Sequence, residues 1–81
     1  MEYQIKNFET EGDNKRIGFM VTTNGKSFAI DRLIPVVEGK TEEAYVQDAF
    51  AAAETEINAW ASDASVQLVG KKWNPETNTA I

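Results

Sequence analysis

The chain has 81 residues, 13 acidic against 8 basic side chains, a net charge of −5, and neither cysteine nor histidine. The missing residue types exclude disulfides, Cys/His zinc sites, thiol nucleophiles and Ser-His catalysis. No apolar run reaches the roughly 18 residues that span a bilayer, and MEYQIKNFETEG lacks the basic start and apolar middle of a signal peptide; the expectation is a soluble protein that works inside a cell or a particle, without membrane contact.

Tyr3 and Ile5 alternate within EYQIKNF and predict a first strand over about 2–8. ETEGDNKR is too polar to be buried and reads as a charged connection. The strongest local signal is RIGFMVTTNGKSFAID, which predicts strands over about 16–23 and 26–34. Asn24-Gly25 is the preferred pair for a type I′ hairpin turn, because both central positions need positive φ. That turn dictates a register: Thr23 with Lys26, Val21 with Phe28, Phe19 with Ile30, Ile17 with Arg32. Ile17, Phe19, Val21, Phe28 and Ile30 then share one face, and Gly18, Met20, Thr22, Ser27, Ala29 and Asp31 the other. LIPVVEG is apolar, but Pro35 cannot donate to a ladder, so it reads as an edge strand or an extended crossover.

A helix follows over about 42–62. Thr41 is its N-cap, and Glu42 and Glu43 sit where the dipole favours anions. Val46, Ala49, Phe50, Ala53, Ile57, Trp60 and Ala61 form its apolar stripe, and about 20 residues give ~30 Å of length. SDAS breaks it. VQLVGKKW alternates well enough for a last strand over about 66–73, with Gly70 as a bulge position. The expected architecture is α+β: one domain spanning 1–81, with an antiparallel-rich four-stranded sheet in the order β-β-β-α-β and the long helix packed on one face.

Chemistry is harder to find. Glu54 and Glu56 lie on opposite flanks of the stripe, so nothing pairs them for acid–base work. VEGKT lacks the first glycine of a phosphate loop, and no D-x-D-x-D-G calcium loop exists. The sequence therefore predicts no enzyme, no metal and no cofactor. Residues 41–70 carry six acids and no Lys or Arg, which disfavours binding to a nucleic-acid backbone and suits a basic protein surface. The helix face away from the stripe carries Ala51, Ala52, Thr55 and Ala59, flanked by Glu54 and Glu56. Such a small-residue surface would let a partner approach closely, although alanine also serves as a plain helix former. Trp73 beside Lys71 and Lys72 is either the last piece of the core or an exposed anchor; strand phase with a bulge at Gly70 favours partial burial.

Two families share fragments of this pattern. Gly70, Trp73, Pro75 and Thr77 in GKKWNPETNTAI resemble the closings of short virion and tail-accessory proteins of tailed phages. Gly39, Thr41, Glu43 and Ala44 are similar to the helix entry of HicB-type antitoxin domains, whose order is also β-β-β-α-β. The first resemblance implies a phage-encoded assembly module that binds a protein partner or its own copy. The second implies an acidic antitoxin or inhibitor that blocks a basic site on a macromolecule.

Overall fold

The computed structural model describes residues 1–81. Three ten-residue strands, β1 (Glu2–Glu11), β2 (Asn14–Thr23) and β3 (Lys26–Pro35), form an antiparallel meander in the order β1-β2-β3. The turn between β2 and β3 has Asn24 at φ 50 and Gly25 at φ 74, and it sets the pairs Thr23–Lys26, Val21–Phe28, Phe19–Ile30 and Ile17–Arg32. Here local turn chemistry and hydrophobic alternation specify the same register.

The first strand is longer than its hydrophobic pattern. Its polar end remains in the sheet and pairs as Glu9–Arg16, Thr10–Lys15 and Glu11–Asn14, which shrinks the expected connection to Gly12-Asp13. Gly12 at φ 58 opens that turn. Cross-strand polar contacts hold the end: Lys15 Nζ donates to Thr10 Oγ1 at 2.7 Å, and Arg16 pairs with Glu11 and with Asp31 on β3. A bulge falls between Ile5 and Asn7, so Lys6 is the extra residue. Without it, Phe8 would point away from the face that holds Tyr3 and Ile5. With it, Tyr3, Ile5 and Phe8 stand opposite Val21, Phe19 and Ile17 in turn.

The helix α1 (Glu42–Ala61) starts at Thr41, whose hydroxyl accepts from the Ala44 amide at 3.2 Å. It packs on β3 and β2. Its fully buried row is Tyr45, Ala49, Ala53, Ile57 and Ala61, spaced by four, with Val46, Phe50 and Trp60 half-buried on its flanks. This row is rotated from the expected stripe, because Tyr45 takes a central place. Its ring meets Phe8 edge-on, and its hydroxyl both accepts from the Val37 amide and donates to the Val37 carbonyl, each at 2.9 Å. That clamp fastens the segment between β3 and α1. The core closes with Ile17, Phe19, Val21 and Ile30 from the sheet; no polar or charged side chain is buried.

The expected fourth strand is a correction. Residues 64–67 form a single helical turn, α2 (Ala64–Gln67). Asp63 causes it: its carboxylate accepts from the Ser65 amide at 2.8 Å, and its carbonyl accepts from the Val66 and Gln67 amides. Hydrogen bonds to the carboxylate, led by that from the Ser65 hydroxyl, hold the Asp63 carboxyl below the usual carboxylate range. Val66 drops into the core, and Asn24 Nδ2 donates to its carbonyl at 3.0 Å. Gly70 is no bulge: at φ 86 it reverses the chain. Residues 72–81 then close on themselves as a small hairpin of β4 (Trp73–Asn74) and β5 (Thr79–Ala80), a second sheet separate from the first. The result is α+β with a three-stranded sheet, one long helix and a projecting tail. Its extents are 61 × 17 × 17 Å and its radius of gyration is 16.9 Å, against about 12 Å for a compact chain of this length.

Candidate interaction surface

The nine side chains that the sequence nominates do not form one patch. Ala51, Ala52, Thr55, Ala59, Glu54 and Glu56 are all exposed on α1. Glu56 is engaged within the chain, pairing with Arg32 of β3. Lys71, Lys72 and Trp73 lie on the tail, and Trp73 is 61 % exposed, so the expected partial burial is corrected. The reason is the same as for the missing strand: after α2 and Gly70 the chain leaves the sheet, and the indole has no layer to enter.

A different surface is built where α1 fails to cover the sheet. Because the helix lies over β2 and β3, the inner face of β1 is covered at Phe8, which meets Tyr45, but open at its Tyr3–Ile5 end. Tyr3 is 49 % and Ile5 53 % exposed, although both point to the same side as the core. Beside them Val46 and Phe50 descend from the helix flank. Phe50 bridges the two elements, meeting Tyr3 edge-on at 5.2 Å between ring centroids and Phe19 at 5.7 Å. The outcome is an open groove of about 450 Å³ lined by Tyr3, Ile5, Phe19, Val46 and Phe50, with Ala51 and Glu54 on its rim. It continues past Ile5 toward Glu42, Glu43 and Gln47. Two nominated residues, Ala51 and Glu54, thus border the groove, whereas Ala52, Thr55 and Ala59 do not.

The polar surroundings differ on the two sides of the sheet. On the outer face Glu11 and Asp31 flank Arg16, and hydrogen bonds to Glu11 first and Asp31 second raise its pKa, fixing it as a cation. On the groove side Glu42, Glu43 and Glu54 make no ion pair, while Asp48 is held by Lys40. The groove is therefore apolar at its floor and acidic along its helical rim. It brings together no group of three or more side chains able to hold a metal ion. What it offers chemically is desolvation of apolar surface.

Sequence reasoning placed Tyr3 and Ile5 in a strand without assigning them a face, and placed Val46 and Phe50 in the helix stripe that packs on the sheet, so it did not bring the four together. The spacing Tyr45, Ala49, Ala53, Ile57, Ala61 was the available signal that the buried row runs elsewhere. No known protein family, curated protein or solved structure matches this chain.

Proposed function

We propose that this protein is a non-catalytic interaction or assembly module that buries its β1–α1 flank against a protein partner or a second copy, as a phage-encoded virion or tail component would. The observation that supports it is the exposure of Tyr3 and Ile5 beside Val46 and Phe50, on an inward-facing strand surface where a small domain ordinarily places core. A contiguous apolar groove next to an open strand edge is the combination that protein partners use, by adding a strand and filling the pockets beside it. The acids of α1 favour a second reading, an acidic inhibitor of a basic site, because Glu42, Glu43 and Glu54 stay unpaired at the rim.

Photo-crosslinking tests the first reading. A benzophenone side chain replacing Gln47, which lines the groove, is expected to give one discrete crosslinked species in the cell that makes the protein. The same probe at Glu9 on the outer face is the control. Equal or diffuse labelling at both positions would refute the proposal. The acidic-inhibitor reading instead requires affinity for the captured partner to fall steeply between low and high salt.

A further inference from the structure

We infer that β1 pairs antiparallel with β1 of a second copy across a two-fold axis at Gln4. This rests on the reading of the β1–α1 flank as an interaction surface and names what covers it. The first support is the open ladder. Thr23 and Lys26 close a two-residue turn as a hydrogen-bonded pair, so along β2 the groups of Thr22 and Met20 point toward β1. Their partners Glu2 and Gln4 are therefore bonded to β2, and the amides and carbonyls of Tyr3 and Ile5 point outward along a free edge. The opposite edge is less suited: its inner face carries the Arg32–Glu56 ion pair, and it ends at Pro35, which has no amide hydrogen.

The second support is charge. With the axis at Gln4, Tyr3 faces Ile5 of the second copy and Glu2 faces Lys6 of the second copy, each twice by symmetry. Apolar meets apolar on the groove side, and acid meets base at the bulge. Moving the axis to Tyr3 sets Glu2 against Gln4; moving it to Ile5 sets Tyr3 against Asn7 and Glu2 against Phe8. Of these three registers, only the one centred on Gln4 sets an acidic side chain against a basic one.

The third is space. Strands spaced by ~4.8 Å place two helices that lie above β2 and β3 about 19 Å apart across the axis. Helices about 11 Å wide then leave a slot about 8 Å wide, room for one layer of side chains. Tyr3, Ile5, Val46 and Phe50 of both copies occupy it, and Ala51 on the rim is small enough not to obstruct. The two open grooves become one interior between the helices, floored by a six-stranded sheet.

Absolute mass by light scattering and sedimentation equilibrium, from about 1 μM to about 1 mM, tests this on the full chain. A concentration-dependent dimer is expected. Glu2→Lys and Lys6→Glu each turn two attractive cross-strand pairs into two repulsive ones, so each is expected to raise the dimer Kd about tenfold. Mixing the two variants sets a base against an acid at both cross-strand sites once more, with the two signs exchanged at one of them, and is expected to restore wild-type affinity in the heterodimer. Ile5→Lys abolishes dimerisation while circular dichroism stays unchanged, since Ile5 is half exposed in the monomer. A monomer at all concentrations overturns the inference, as does a dimer indifferent to these substitutions or a mixture that fails to recover. The Gln47 crosslink separates this from the broader reading. A product between two copies supports β1 pairing, a product with a different protein leaves only the interaction module standing, and no product removes both.

Discussion

Tyr45→Phe removes one oxygen and leaves the ring in place, which makes it a clean probe of the strand-to-helix clamp. The hydroxyl accepts from the Val37 amide and donates to its carbonyl. Each bond contributes about 0.5–1.5 kcal/mol net, so the pair bounds the effect near 3 kcal/mol. Val37 is exposed, and water replaces much of what the phenol supplied, which brings the expected loss to about 1 kcal/mol. For a domain of this size that lowers Tm by about 4–8 °C. Thermal unfolding by circular dichroism measures it, and amide exchange at Val37 localises it. Protection of that amide should fall while protection in the centre of β2 follows only the global change. An unchanged Tm together with an unchanged Val37 exchange rate would refute the clamp.

Gly18→Ala puts a methyl 2.9 Å from Asn7 Cγ and closer still to its Oδ1; urea denaturation should show a loss of about 1–2 kcal/mol that Asn7→Ala in the same chain largely restores. Because the Asp63 carboxyl is held below its ordinary range by Ser65, its contribution is present above an unfolded value near 3.9 and is lost as pH falls through the lower folded value. The 13C shift of its carboxyl should therefore titrate below a normal aspartate, and Ser65→Ala should move the midpoint upward. In a Trp60→Phe background, Trp73 emission should be red-shifted and readily quenched by acrylamide, and Trp73→Ala should change stability by no more than about 0.5 kcal/mol.

The sheet's central hairpin was readable because two independent codes coincide there: Asn24-Gly25 specifies the turn, and Ile17, Phe19 and Val21 alternate against Phe28 and Ile30. The helix start was equally legible, since Thr41 and the two glutamates act through bonds and dipoles local to one turn. Long-range placement was not. The uneven spacing of Tyr3, Ile5 and Phe8 holds the bulge at Lys6, but only the partner strand makes that visible. Val66-Gln67-Leu68-Val69 is too short to separate a strand from one turn of helix, and the Asp63 cap decided it. The groove escaped sequence reasoning for a related reason. Whether Tyr3 and Ile5 are covered depends on where the helix axis crosses the sheet, and that is set by the rotation that brings Tyr45 beneath α1.

The tail that leaves the sheet at Gly70 stretches the molecule along one axis. Such a rod has more friction per unit mass than a sphere, so it tumbles slowly about its short axes and elutes early from a sizing column. A single chain would then pass for a pair by calibration against round standards. Any claim about its stoichiometry must come from scattering or sedimentation equilibrium, where form does not masquerade as weight.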